Sequence, residues 1–189
     1  METRDAIGII ELASIYKGYH VQDEVLKQAH VEKLVARSIC SGKYLMILRG
    51  AVGDVETAID IAREVGGFSV VNLTVLPRVD PRVFPAISGT TSFETKLGSR
   101  IPAMLIIETF SVASAIKAAD TAVKEADVEL IRVHVAMAVG GKGIVVMTGD
   151  IAPLEAAVQP AIEAVKQDGM LAGYVLIKNP HEDVLRDLI

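Results

Sequence analysis

Thiols and large rings are what this chain has least of. Cys40 is its single cysteine, tryptophan is absent, and aromatic residues make up 4% of 189 positions. One thiol excludes an intrachain disulfide framework and a zinc ribbon, which draw several sulfurs from one chain. It suits a reducing compartment. So few rings leave little platform for stacking bases. A net charge of −5 and a pI near 5.4 supply no general attraction to nucleic acid or anionic lipid. No run approaches the roughly 18 consecutive apolar residues of a membrane-spanning helix. The opening Met-Glu-Thr-Arg-Asp has neither the basic nor the apolar region of a signal peptide.

The marks of common enzymes are missing as well. His20, His30, His134 and His181 stand in no metal-ligand spacing. Gly140-Gly141-Lys142-Gly143 lacks the Walker spacing and the Ser or Thr that follows it. No G-x-S-x-G elbow occurs. An ordinary active site is not visible, and the expectation is that the protein is not an enzyme.

What is abundant is apolar surface. Hydrophobic residues reach 51% and mean hydropathy is +0.41. Such a surplus without a membrane segment points to large subunit contacts. An internal repeat organises it. Residues 6–12 (AIGIIEL) match 103–109 (AMLIIET), and residues 23–32 (DEVLKQAHVE) match 120–129 (DTAVKEADVE), both at the 97-residue offset from Glu11 to Glu108. Gly42-Lys43 matches Gly141-Lys142, and Asp80-Pro81 matches Asn179-Pro180, both at an offset of 99. The second copy has therefore gained two residues just before its Gly-Lys turn.

Each copy reads the same way. The short apolar runs at 6–12 and 103–109 predict strands. Helices follow, with apolar positions Ile15, Val25, Leu26 and Ala29 in copy one and Val112, Ala115, Ile116, Ala119 and Val123 in copy two. Strands are expected at 31–40 and 43–49, and at 129–139 and 142–148, around the Gly-Lys turns. A second helix, a strand (69–76; 171–177) and a short helix close each copy. Asp80-Pro81 and Asn179-Pro180 read as N-cap and N1 of those short helices. The order is β-α-β-β-α-β-α, a ferredoxin-like α+β fold forming an α/β sandwich. Domains are expected at 1–90 and 102–189, joined by a linker at 91–101 that overlaps the polar stretch 88–100.

Glu11 and Glu108 end equivalent strands. Paired carboxylates can act as acid and base, but recurrence in both copies favours a structural role, such as bonding to neighbouring backbone. His134 reads as a partly buried strand histidine. Cys40, in Ser38-Ile39-Cys40-Ser41-Gly42-Lys43, admits two readings. It is a small packed hydrophobe, or a thiol that meets two symmetry mates if three chains close around an axis. Three thiolates at one point can hold an iron–sulfur cluster, which one chain here cannot do alone. Copy two offers Val139 or Met137 nearby, so a threefold thiol site, not a sixfold one, would result.

Over nearly the whole chain these residues resemble the tandem-domain shell proteins of bacterial microcompartments, in unpermuted order. The likeness rests on the GIIEL strand end, the ICSGK turn, residues 85–89 (PAISG), the stretch 132–142 with its GGK turn, and the closing NPHEDVL. It implies a structural protein of a shell in the cytoplasm, in which three chains form a pseudohexagonal disc that tiles into a facet. The Cys40 turns would line the disc centre and bind one [4Fe-4S] cluster per trimer, leaving one iron to a non-cysteine ligand. Ser38, Ile39, Ser41 and Gly42 would surround it, and Val139, Gly140 and Gly141 would form the second copy's pore turn. Lys27 and Lys124 match the family's edge lysine at contacts between discs. Partners would be further copies of the chain, other shell proteins and encapsulated redox enzymes.

The likeness is incomplete at one place. The family's closing arginine is replaced by Asn179, and Arg78-Val79-Asp80-Pro81 also lacks an arginine beside the proline. Two further functions stay open on residues alone: a cluster-free metabolite pore, and a ferredoxin-like module that binds a small regulatory ligand.

Overall fold

The computed structural model describes residues 4–91, 101–135 and 140–186. It divides into two compact units, one up to Pro81 and one from Arg82. In the first, strands β1 (Ala6–Leu12), β2 (Glu32–Ile39), β3 (Lys43–Gly50) and β4 (Val70–Leu76) form an antiparallel sheet in the order β2-β3-β1-β4. The central strand β1 is apolar along its length because both its faces are covered. On one face Ile10 and Leu12 join Tyr44, Met46 and Leu48 of β3. Helices α1 (Ile15–Gln28) and α2 (Val52–Gly66) close over them with Val21, Val25, Ala58 and Ala62. Full burial of each aliphatic side chain contributes about 1.5–3 kcal/mol.

The second unit repeats this plan. Strands β5 (Ala103–Thr109), β6 (Glu129–Val135), β7 (Gly143–Gly149) and β8 (Leu171–Lys178) lie in the order β6-β7-β5-β8, with α4 (Val112–Glu125) and α5 (Ile151–Lys166). Helix α6 (Glu182–Arg186) sets Leu185 against Ile101, Met104, Ile131 and Val146. The ferredoxin-like order expected for each copy is the one observed. Among the described residues, no helix is long and apolar enough to cross a membrane.

Two local expectations need correction. The short helices α3 (Val83–Ser88) and α6 start later than the Asx-Pro pairs predict, and Arg82 and His181, 99 residues apart, hold the cap positions. The Asp183 N–H donates to His181 Nδ1 at 3.3 Å. The reason lies upstream. The Val79 and Asn179 N–H groups still donate to the Asp5 and Pro102 carbonyls, which ties the chain to the start of the central strand beyond the ends of β4 and β8. Asn179 also sits at a left-handed φ of 48°, a conformation asparagine tolerates better than arginine.

Helix α3, which the repeat assigns to the end of copy one, packs within the second unit. Val83, Phe84, Ala86 and Ile87 are buried. The Arg82 guanidinium donates to the Val123 carbonyl of α4, and Thr91 Oγ1 donates to the Ile131 carbonyl of β6 at 2.8 Å.

Candidate functional site: the Cys40 turn

Strand pairing between β2 and β3 runs up to Ile39 opposite Lys43, which leaves three residues, Cys40–Gly42, to reverse the chain. So tight a reversal requires left-handed backbone. Ser41 has φ 65° and Gly42 φ 71°. A serine held there costs about 1–2 kcal/mol. A Cβ on Gly42 would meet nothing within 4 Å, so glycine is present for its φ and not for space. Ile39 is buried and anchors the turn, Ser38, Ser41 and Gly42 are exposed, and Cys40 is partly exposed. The expectation of a strand as far as Cys40 is thus corrected: the cysteine belongs to the turn.

The second copy turns through Gly140 (φ 64°) and Gly141 (φ 85°). Val139, with the rest of 136–139, lies outside the described residues. Among the described residues, no group of three or more His, Cys, Asp or Glu side chains gathers as a metal site within the chain. A metal centre on Cys40 therefore needs thiols from other copies. The turn's donor chemistry, a soft thiol among small residues with backbone N–H groups close by, fits an iron–sulfur cluster on those terms.

Directly after each turn, a lysine meets the strand-end glutamate. Lys43 Nζ lies 2.8 Å from Glu11 Oε1, and Lys142 Nζ lies 2.8 Å from Glu108 Oε1. The two carboxylates thus share a structural part, taking a side-chain partner in place of the expected backbone one. The aligned Gly-Lys pairs were the signal for it. Glu11→Gln is expected to lower stability by no more than about 1 kcal/mol, as for other solvent-accessible pairs. Urea denaturation measures this, and a loss several times larger would show that the pair is more than a surface bridge.

Lys27 and Lys124 stand elsewhere, on the last turns of α1 and α4. Each pairs with the aspartate one helical turn before it, Asp23 at 2.5 Å and Asp120 at 2.6 Å. The hydrogen bond to Asp23 raises the Lys27 pKa above its ordinary value. His134 is half-buried in β6, as expected.

One contact escaped the sequence reading. A Cβ built on Gly18 of α1 would sit 2.2 Å from Tyr44 Cγ, so the helix rests directly on the tyrosine ring. The equivalent pair in copy two is reversed in size, with Ala115 on the helix and Gly143 on the strand, where a Cβ would meet Ala115 Cβ at 2.4 Å. The paired exchange, Gly-Tyr for Ala-Gly, was its only trace in the sequence. Gly18→Ala is expected to destabilise the protein by about 1–3 kcal/mol through overpacking, measured by denaturant titration. An unchanged midpoint would show that the ring moves aside freely.

The BMC domain model matches the chain twice, over residues 6–79 and 103–180. The chain belongs to the BMC-domain family. It is 42% identical over 184 residues to the bacterial microcompartment shell protein PduT of Citrobacter freundii, covering 97% of each chain. A crystal structure of a microcompartment protein from Desulfitobacterium hafniense DCB is 38% identical, with a TM-score of 0.90 over 96% of this chain and 98% of that one. A fused permuted hexameric shell protein of the RMM microcompartment shares the fold at 24% identity, with a TM-score of 0.56 and 84% of each chain covered. This BMC protein is accordingly a structural component of a microcompartment shell and not an enzyme.

Proposed function

We propose that three copies of this BMC protein close head to tail into a pseudohexagonal facet disc. The Cys40 turns then meet at the axis and hold one [4Fe-4S] cluster that carries electrons, or senses redox state, across the shell. The observation that carries the assembly is an inequality between the two copies. On α1, Ile15, Tyr19 and Leu26 are 39%, 62% and 39% exposed. Their equivalents on α4, 97 residues on, are Val112, Ile116 and Val123, at 4%, 0% and 2%. In copy two α4 lies closer on its own strands β6 and β7 and on α5, and Arg82 reaches the Val123 carbonyl, whereas α1 leaves this face open. The matching segment of copy two seats Leu185 on its own unit, so α1 would be covered by another surface of a second chain, laid head to tail. Contacts of that head-to-tail kind generate rings when the rotation closes.

The likeness to PduT supports the shell role. The cluster reading is supported by Cys40 itself, the single thiol in two copies, standing on a short turn where it is partly exposed. When bound, the cluster supplies one-electron chemistry. Cys40 would ligate iron as thiolate, while Ser38, Ile39, Ser41 and Gly42 shape its surroundings and the turn's N–H groups tune it. Val139, Gly140 and Gly141 would line the same opening. Lys27 and Lys124 would lie at contacts between discs, with other shell proteins and encapsulated redox enzymes as partners.

Anaerobic purification tests the proposal, and a brown protein of trimer mass that forms sheets under the electron microscope is the expected result. A colourless protein with every thiol free after anaerobic reconstitution overturns the cluster while leaving the shell role standing. A discrete oligomer with a saturable small-molecule site and no sheets overturns the assembly.

A further inference from the structure

The two turns of this chain are built on one plan but held by different means, and the difference follows the sulfur. In copy one the residue leaving the turn, Tyr44, pairs with Leu12 across β1 and puts its ring beneath α1, against Gly18. Its hydroxyl donates to Gln22 Oε1, one helical turn further along. The Tyr19 ring lies on it, with centroids 5.1 Å apart and planes tilted by 53°. Tyr44 itself is 1% exposed. Burial pushes its phenol pKa up, so the hydroxyl remains a donor at neutral pH.

Copy two has none of this set. The equivalents of Gly18, Tyr19, Gln22 and Tyr44 are Ala115, Ile116, Ala119 and Gly143. There the strand is held through Thr109 Oγ1, which lies 3.3 Å from the Gly143 carbonyl and 2.8 Å from that of Ser111. The Lys43–Glu11 pair has its match in Lys142–Glu108, so it does not separate the two turns. The tyrosine anchor does.

We propose that Tyr44, seated on Gly18 and bonded to Gln22, is a positioning residue that pins the exit of the Cys40 turn to α1, so that the thiol keeps its place when three copies share a cluster. The last clause rests on the cluster reading above; the pinning itself does not. The physical reason is that Cys40 stands on a three-residue turn, so what holds the two ends of the turn helps to place it. Ile39 anchors the entry by burial, and Tyr44 anchors the exit by ring packing and one hydrogen bond.

Tyr44→Phe and Gln22→Ala each remove that bond. The first keeps the ring and the second installs copy two's own residue, so both variants retain the packing that folds the unit. Hydrogen–deuterium exchange on the metal-free full chain is expected to quicken roughly 2- to 10-fold at residues 38–44 in either variant, the range for losing one ordinary hydrogen bond. The double variant should exchange no faster than the singles, and the equivalent turn in copy two should be unaffected. Reconstituted protein should also lose its visible absorption in air faster than the unsubstituted chain. Unchanged exchange at 38–44, or a uniform rise across both units, overturns the pin. Faster exchange with a cluster retained as in the unsubstituted protein overturns its role toward the cluster. Faster exchange in a chain that binds no cluster at all upholds the pin and removes the cluster reading instead.

Discussion

Cys40→Ser is expected to abolish the iron–sulfur absorption of the proposed cluster and to leave the mass of the assembly unchanged. Both halves of this expected result follow from where the thiol sits. Cys40 stands on a reversal between β2 and β3, partly exposed and outside the packed core. Serine is nearly isosteric with it, and surface replacements of this kind change stability by about 0.5 kcal/mol or less. The effect on the metal is of another order. In the proposed trimer one substitution per chain removes three ligands at once, and a serine hydroxyl does not ionise at neutral pH as a thiol beside iron does. Iron and sulfide per chain should fall to background, the visible band should vanish, and light scattering should give the same mass before and after. A variant as brown as the unsubstituted protein would sink the ligand assignment. A variant that falls apart would mean that the cysteine holds the assembly together, contrary to its place at the surface of the unit.

The second large effect concerns the bare face of α1. Leu26→Glu is expected to convert the proposed trimer, three times 20.2 kDa or about 60.6 kDa, into a folded species near 20.2 kDa. Leu26 is the equivalent of Val123, which the chain itself buries beside Arg82. If a second copy buries Leu26 in the same way, a glutamate there loses its hydration without gaining a cation. The cost of such unpaired burial is several kcal/mol per contact, and each 1.4 kcal/mol is about tenfold in affinity. The ring repeats that contact at every joint. In the isolated chain the substitution falls on an exposed position, so the unit folds. Ile116→Glu is the internal control, since its position is fully buried within the chain, and it should prevent folding outright. Sedimentation or light scattering across a concentration series distinguishes the cases. A Leu26→Glu protein still at the full mass would show that α1 faces solvent in the assembly.

Element identity was legible before any coordinates because period and composition report it locally. The runs AIGIIEL and AMLIIET are too short for helices and apolar throughout, as central strands covered on both faces must be. The 97- and 99-residue offsets aligned the copies and confined the insertion to the stretch before Gly141-Lys142. Helix starts were less legible. The Asx-Pro pairs carry an ordinary capping signal, yet Arg82 and His181 hold the caps, because backbone hydrogen bonds from Val79 and Asn179 to Asp5 and Pro102 tie the chain down just there. Such a bond leaves no mark on local composition.

The site divides along the same line. That Cys40 stands alone, beside a glycine made for reversal, is a property of the sequence, as are the doubled domain and the family. What covers what was decided only in three dimensions. Glu11 reaches Lys43 across 32 positions, Tyr44 needs Gly18 to have no side chain, and one copy's helix is buried while the equivalent face of the other's stays bare. Periodicity tells which side of an element avoids water. Which element arrives to cover that side depends on contacts between residues far apart in the chain, and no local pattern encodes them.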